Sequence, residues 1–326
     1  APIRLEFFNH SGVMVRGMAA EKGLRAGDVV LKVPRRWIIF PQDVKWSKYK
    51  FSMGGSAAKA KAGLHAAPGI DTLLALRFLE AKEDKGFSHF FKILPSREDY
   101  EKFHPLMAAN NDLARYKGLP VVQQVIDARN KKKIEWKSSG LDRWYDFPTV
   151  WYAFVATISR SYGVSTLGHW TAATVPGSDL GNTEAPEEDH INTAWGYLDS
   201  CRCFYLNTTR DVAAGGELLQ SYQISSKKDN QFMAYMFGFS LSGNPKKVKQ
   251  LDETTCRSLL LQPYDPGTAS AVVRLFHTLA REHCQESGVV EEETDWRASG
   301  GAEKMMSWVK TSGQQGSLHL SRPKKL

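Results

Sequence analysis

The stretch VPGSDLGNT, residues 175–183, largely decides the fold predicted for this chain. Its proline, glycines and short polar residues predict a tight turn whose backbone N–H and C=O groups can hold a small ligand. A second stretch, GGELLQSYQ at residues 215–223, follows a glycine turn and has the two-residue period of a strand that ends at Tyr222. The helical run DNQFMAYMFGF, residues 229–239, comes next. We therefore expect the three stretches to surround a functional site.

In order and spacing, these stretches resemble the split-SET-domain protein methyltransferases, the family of the plant Rubisco lysine methyltransferases and the actin-histidine methyltransferases. The family pattern is a P-x-x-D-x-x-N-H turn, a strand G-E-x-x-x-x-Y, and a helix that ends in Y-G-F before an N-P pair. The matching residues here are Pro176, Asp179, Asn182, Gly216, Glu217, Tyr222, Phe237, Gly238, Phe239, Asn244 and Pro245.

The resemblance implies an α+β fold, in which a SET fold of short β-strands and small sheets is split by a helical insert. Residues 1–45 would form the N-terminal part of the SET domain and residues 46–146 the insert. Residues 147–245 would form the C-terminal part, with the active site. Residues 246–326 would be a short helical segment of the kind that helps to hold a protein substrate in this family.

The resemblance also implies a site for S-adenosyl-L-methionine. The family's S-R-x arginine contacts the carboxylate end of this methyl donor, its asparagine side chain reaches the donor's amino group, and the residue after the asparagine contacts the adenine through its backbone. A strand that opens the SET domain contacts the donor through its backbone. On these grounds the expected donor-binding residues are Gly17, Arg160, Asp179, Asn182 and Thr183.

Tyr222 is the expected catalytic residue, and Tyr222 and Phe237 are expected to line the channel for the substrate side chain. Methyl transfer needs a neutral nucleophile aligned with the reactive carbon and shielded from water. A tyrosine suits this because its hydroxyl can orient an amine while its ring excludes water. The reaction needs no metal, and none is expected.

Periodicity and resemblance disagree about Arg160. A helix is predicted from Phe147 to Gly163, with an apolar stripe that begins at Trp151 and includes Ile158. Arg160 lies nine positions after Trp151, about 180° from that stripe if the helix continues. Periodicity therefore predicts an exposed arginine, whereas the resemblance places it in the donor site.

The chain departs from the family pattern at three positions. Val15 replaces the first glycine of the opening strand, Thr183 replaces the histidine after the asparagine, and Phe237 replaces the tyrosine of Y-G-F. The predicted function is a protein-lysine N-methyltransferase that uses S-adenosylmethionine and acts on a protein substrate presenting a lysine. Two alternatives stay open: a protein-histidine methyltransferase, and a catalytically impaired SET-like scaffold that binds a peptide.

Composition adds few constraints. The 326 residues carry a formal net charge of +8, and a nucleic-acid-binding module is a third reading that rests on this charge alone. No apolar run reaches the roughly 18 residues of a membrane-spanning helix and no signal peptide opens the chain, although a segment before Ala1 could have been removed. We expect an intracellular monomer, in the cytoplasm, nucleus or plastid.

The chain has four cysteines, which are expected to be reduced thiols. Cys201 and Cys203 could alternatively form half of a metal site.

An acidic stretch follows the predicted donor-site turn. Glu184, Glu187, Glu188 and Asp189 put four carboxylates into six residues. Such a loop is either a solvated surface loop or the border of a peptide groove that attracts a basic segment around the target lysine.

Overall fold

The computed structural model describes residues 2–10, 13–49, 51–52, 65–184, 190–222, 228–241, 244, 247–291 and 294. The strands are β1 Ile3–His10, β2 Val13–Ala20, β3 Val29–Pro34, β4 Phe51–Ser52, β5 His65–Ala66, β6 Ser161–Thr166, β7 His169–Thr174, β8 Thr193–Leu198 and β9 Cys203–Thr208. The helices are α1 Trp46–Tyr49, α2 Ile70–Lys82, α3 Ser88–Ile93, α4 Arg97–Phe103, α5 Asn110–Arg115, α6 Pro120–Ser138, α7 Phe147–Ile158, α8 Asn230–Phe237, α9 Glu253–Leu260 and α10 Ala271–His283.

Small antiparallel sheets form one half of the molecule. β1 pairs with β2, β6 pairs with β7, and β9 lies between β3 and β8, whereas the short strands β4 and β5 form a parallel pair. Alternate apolar side chains of the antiparallel sheets pack into a shared core around Met18, Phe40, Val164 and Phe204. Together with the helices, these sheets confirm the predicted α+β class.

A second core joins the helices. α7 belongs to this core, and it begins after Asp146 because Asp146 caps it by accepting from Thr149 N at 2.7 Å and Pro148 occupies its first turn. Its buried face packs with helices α2 to α6 and with the later helices α9 and α10. Trp151 Nε1 donates to Leu106 O at 2.9 Å and Arg129 Nη2 donates to the same carbonyl, so polar groups also tie this half together. The insert and the C-terminal helices therefore share one apolar core.

The segment before Tyr222 differs from the predicted strand. It is extended but pairs only at single bridges, with Glu217 opposite Ala19 and with Leu219 opposite Asn182 in the parallel sense. Leu218 N donates to Met18 O at 2.8 Å, so the segment changes partner from β2 to the turn after Leu180 within a few residues. This change of partner prevents a continuous ladder, and Tyr222 ends an extended crossing segment instead of a regular strand.

The prediction of reduced cysteines is wrong in this structure. Cys201 is bonded to Cys203, and Cys256 in α9 is bonded to Cys284 at the end of α10. The first pair spans a tight turn in which Arg202 has a positive φ of 47°, and this brings the two side chains together. Within the described ranges, no group of three metal-binding side chains is found and no helix is long and apolar enough to span a membrane.

Candidate active site

A cavity of about 370 Å³ lies where the β1–β2 hairpin, helix α4, the turn after β7 and the end of α8 meet. Its size falls within the range of small-molecule sites, which is about 300 to 1,000 Å³. It is lined by Phe7, Val15, Arg16, Tyr100, Phe103, Ser159, Arg160, Asp179, Leu180, Asn182, Tyr222, Phe237 and Phe239.

Arg160 faces this cavity, so the exposure that helical periodicity predicted is wrong. Helix α7 ends at Ile158 with Ser159 as its C-cap, and the chain then turns into β6. The 100° step per residue consequently does not extend to Arg160. Its side chain is 16% exposed.

Most of the Arg160 guanidinium is held by neighbouring groups. Nε donates to the Tyr100 hydroxyl at 3.0 Å, and Nη1 donates to Asp179 O at 3.2 Å and to Asp179 Oδ2 at 3.3 Å. Among the described residues, no protein acceptor contacts Nη2. A guanidinium fixed on two sides and unengaged at one nitrogen is suited to binding an anionic group of a ligand.

Burial changes the pKa values of Asp179 and Arg160. Burial raises the pKa of the Asp179 carboxyl, and the neighbouring Arg160 only partly offsets that rise. Burial also disfavours the charge on Arg160, but attraction to Tyr100 and Asp179 outweighs it, so the pKa of Arg160 is raised and the guanidinium stays charged. The cavity wall therefore carries a permanent cation.

Tyr222 closes another wall of the cavity. Its hydroxyl donates to Gly181 O at 2.6 Å, and its backbone N–H donates to Thr183 Oγ1 at 3.3 Å. Burial raises the pKa of the Tyr222 hydroxyl to about 12, while the charge of Arg160 acts in the opposite direction. The hydroxyl is thus protonated at neutral pH, and because its proton points to Gly181, its oxygen can accept a further hydrogen bond.

A buried polar network holds the turn and the crossing segment together. Tyr162 Oη donates to Gln220 Oε1 at 3.0 Å, and Gln220 Nε2 donates to Ser178 O at 2.7 Å. Ser178 Oγ donates to Tyr162 Oη at 3.0 Å, which closes the ring of contacts. Asp179 and Tyr222, the neighbours of these residues in sequence, are thereby fixed relative to each other.

Asn182 is positioned by groups from distant parts of the chain. Its Nδ2 donates to Glu217 Oε1 at 2.8 Å and to Arg16 O at 3.3 Å. The same Glu217 contacts His10 Nε2 at 3.0 Å, and His10 Nδ1 lies 3.4 Å from Glu184 Oε1. Asn182 therefore lies at the inner end of a chain of polar contacts that leads to the surface.

The structure brings together part of the predicted site. Arg160, Asp179, Asn182, Tyr222 and Phe237 all line the one cavity, whereas Gly17 and Thr183 do not. Thr183 touches the site through its contact with the Tyr222 backbone, and Gly17 packs against the side chain of Asn182.

The sequence reasoning missed cavity residues on the hairpin and the insert. Arg16 lines the cavity and donates to Ile93 O at 2.5 Å, and Tyr100 and Phe103 approach from helix α4. Tyr100 is 1% exposed, so its ring belongs to the apolar core. Only its hydroxyl reaches the site, and apolar periodicity carries no signal for that atom.

Three aromatic rings form the side of the cavity nearest α8. The centroids of Tyr222 and Phe237 lie 4.7 Å apart, and Phe239 lies 6.3 Å from Tyr222. The α8 helix ends at Phe237, and its C-cap Gly238, with a φ of 83°, turns the chain so that both phenylalanines reach the cavity. This wall is apolar and can exclude water.

The acidic stretch is described only at its first residue. Glu184 contacts His10 and also His190 Nδ1, the latter at 2.6 Å. Glu187, Glu188 and Asp189 lie outside the described residues, so the predicted peptide groove there stays a prediction.

A Gly17→Ala variant should weaken ligand binding at the cavity. A Cβ at this position would lie 2.5 Å from Glu217 Oε1 and 2.6 Å from Asn182 Nδ2, so the contact between these two side chains would have to open. We expect a stability loss of about 1 kcal/mol, at the low end for an overpacked site because side-chain ends can move. Calorimetry with S-adenosylmethionine measures the binding loss; the matched control is Gly23→Ala, where a Cβ meets nothing within 4 Å. Wild-type affinity in Gly17→Ala would contradict the expectation.

Among known proteins, a plant N-methyltransferase is similar to this chain. No family model matches the chain. The "Ribulose-1,5 bisphosphate carboxylase/oxygenase large subunit N-methyltransferase, chloroplastic" of Pisum sativum is 26% identical over 238 residues, which cover 68% of this chain and 45% of that protein. The chain thus spans about half the length of this relative.

Solved structures give the fold. The SET domain of LSMT bound to lysine and AdoHcy superposes with a TM-score of 0.52 at 19% identity, covering 73% of this chain and 53% of that one. Rubisco LSMT bound to AdoMet superposes with a TM-score of 0.53 at 18% identity, covering 74% and 53%. The chain has the SET-domain fold, and the resemblance predicted from its motifs is confirmed.

Proposed function

We propose that this chain is a protein-lysine N-methyltransferase that uses S-adenosyl-L-methionine. The observation that carries the proposal is one cavity that contains a guanidinium whose third nitrogen meets no acceptor among the described residues, an oriented asparagine and a buried tyrosine hydroxyl. The relatives support it, since the Pisum sativum protein is named as an N-methyltransferase and solved LSMT structures hold AdoMet, AdoHcy or lysine.

The residues present fit S-adenosylmethionine. Arg160 Nη2 would hold the donor's carboxylate, and the Asn182 side chain lines the same cavity. The rings of Tyr222 and Phe237 offer aromatic faces to a sulfonium cation. Gly17 and Thr183 would act at the edge of the site, Gly17 by allowing Asn182 to approach β2 and Thr183 by supporting Tyr222.

In the proposed mechanism, the protein aligns the substrate amine and excludes water from it. S-adenosylmethionine supplies a methyl group on a positively charged sulfur. Tyr222 Oη, whose proton is directed to Gly181 O, accepts an N–H from the substrate amine and fixes the direction of the nitrogen lone pair. Phe237 and Phe239 exclude water, and an apolar wall favours the neutral form of the amine. The amine gives up its proton to solvent before it reacts.

The domain division expected from the sequence is part of the proposal. Residues 1–45 and 147–245 would form the SET domain, residues 46–146 the insert, and residues 246–326 a segment that helps to hold the protein substrate. A monomer acting inside the cell, without nucleic acid, is proposed on the sequence alone. Sedimentation of the purified protein tests the monomer.

Two measurements test the proposed function. Calorimetry should show that the chain binds S-adenosylmethionine, and incubation of a cell lysate with radiolabelled donor should give a labelled lysine. Donor binding without any transfer would favour the impaired peptide-binding scaffold. Label on a histidine would favour the alternative histidine methyltransferase, and absence of donor binding would refute the proposal.

A Phe237→Tyr variant should add fewer methyl groups to each lysine. Phe237 lies 4.7 Å from Tyr222, ring centroid to ring centroid, so an added hydroxyl would occupy space that a partly methylated amine needs. We expect mass spectrometry to show a product with more than one methyl group for the wild type and mainly one for the variant. Phe232→Tyr is the matched control, because this ring packs at 6.3 Å from Phe237 and is not part of the cavity lining. A wild-type product limited to one methyl group would contradict this expectation.

A further inference from the structure

Tyr100 comes from the helical insert, yet its hydroxyl lies at the guanidinium that the proposed function assigns to the donor. It belongs to helix α4, which Ser96 starts with a capping box, and its ring is almost fully buried. The ring packs against Phe103 and Tyr152, with centroid distances of 5.1 and 5.8 Å. These contacts leave the Tyr100 hydroxyl little freedom to move.

The proton positions around this hydroxyl follow from its neighbours. Ser159 Oγ already donates to Val155 O at 2.9 Å, so the Tyr100 hydroxyl must be the donor in its 3.3 Å contact with Ser159 Oγ. Arg160 Nε can only donate, so the Tyr100 oxygen accepts from it at 3.0 Å. The direction of each hydrogen bond among Arg160, Tyr100 and Ser159 is therefore defined.

We propose that Tyr100 is a positioning residue that holds the Arg160 fork so that Nη2 faces the donor carboxylate. Asp179 alone holds one nitrogen, Nη1, about which the guanidinium could still tilt. The Tyr100 hydroxyl holds Nε on the adjacent edge, and two fixed edges define the plane of the fork. The insert is then a structural part of the donor site, and not only a spacer within the SET domain. The inference rests on the proposed function.

The test compares two donors in a Tyr100→Phe variant. The change keeps the packed ring and removes only the hydroxyl. For S-adenosylmethionine we expect affinity to fall about tenfold, as for a hydrogen bond to a charged group. For decarboxylated S-adenosylmethionine, which offers Arg160 no carboxylate, we expect almost no change. The ratio of the affinity for S-adenosylmethionine to the affinity for decarboxylated S-adenosylmethionine should therefore fall about tenfold in Tyr100→Phe.

Tyr152→Phe is the matched control. Its hydroxyl donates to Pro95 O at 3.0 Å and its ring packs on Tyr100, but no hydrogen bond joins it to Arg160. Thermal unfolding of both variants shows whether the insert stays folded. Wild-type donor preference should survive in Tyr152→Phe.

The outcomes separate this inference from the proposed function. An equal loss for both donors in Tyr100→Phe would overturn the positioning role, because the hydroxyl would then act only through the fold. Unchanged affinity for S-adenosylmethionine would overturn it as well. If the wild type prefers S-adenosylmethionine but Tyr100→Phe keeps that preference, only the inference fails. If the wild type binds neither donor, the proposed function fails and the inference fails with it.

Discussion

Arg160→Ala is expected to abolish most donor binding and to destabilise the folded protein by about 3 kcal/mol, at the low end for breaking a buried ion pair. The variant leaves the fully buried Asp179 carboxylate without its partner, and burial already raises the pKa of that carboxyl. Chemical denaturation measures the stability loss, and calorimetry measures donor binding. Unchanged donor affinity would remove Arg160 from the site.

A second substitution separates the two effects of Arg160→Ala. In Arg160→Ala with Asp179→Asn, the buried charge is gone, while the amide oxygen can still accept from Gly177 N as Asp179 Oδ1 does at 3.0 Å. Stability should largely return in the double variant, but donor binding should not. Recovery of both would mean that Arg160 acts on donor binding only through the fold.

The stability of the single variant Arg160→Ala should also depend on pH. With a folded-state pKa above its ordinary value, Asp179 destabilises the folded state when it is ionised. The loss of folding stability caused by Asp179 should therefore be absent below the ordinary aspartate pKa. It should grow as the pH rises from there through the raised pKa of the folded state. Denaturation midpoints of Arg160→Ala measured across acidic pH should fall with rising pH relative to those of the wild type.

Tyr222→Phe should lower turnover by about 10²-fold, the size of effect expected when a reacting group is misplaced by about 1 Å. The substitution removes the oxygen that orients the substrate amine and leaves the ring in place beside Phe237. Donor affinity should change little, because the loss concerns an interaction made mainly in the transition state. Single-turnover methyl transfer and donor calorimetry measure the two quantities separately.

Tyr162→Phe is the control for Tyr222→Phe. Its hydroxyl is also buried, and burial raises its pKa, but it serves the network with Gln220 and Ser178 and does not line the cavity. It should cost stability without a comparable loss of turnover per folded molecule. Wild-type turnover in Tyr222→Phe would refute the catalytic role.

Local patterns were sufficient for some parts of this site and not for others. The apolar stripe of α7 and the glycine at the end of α8 are short-range signals, and the structure has both elements. Arg160 was misplaced by periodicity because the pattern contains no information about where a helix ends. The motif resemblance placed Arg160 in the site correctly, because it depends on the order of residues in the sequence and not on the direction in which a side chain of a helix points.

Long-range contacts were beyond any local pattern. Glu217 orients Asn182, and Tyr100 reaches Arg160, through the packing of segments that lie far apart in sequence. The crossing segment before Tyr222 has the two-residue period of a strand in sequence, but Leu218, Leu219 and Gln220 are all buried and its backbone partners change midway. Periodicity therefore predicts the extended backbone there, but neither the burial of both sides nor the pairing.

The late pairing of β2 has a consequence for synthesis of the protein. Met18 and Ala20, 1% and 0% exposed in the folded chain, pair with β1 on one side, but their partners on the other side come from residues 215–218, after the whole insert has been made. Such a distant closure is slow, and the apolar side chains of the hairpin are accessible to solvent or a chaperone until it occurs. A nascent chain stalled before residue 212 should therefore be aggregation-prone and unable to retain donor, whereas a released chain that includes α9 and α10 should be soluble and should bind donor.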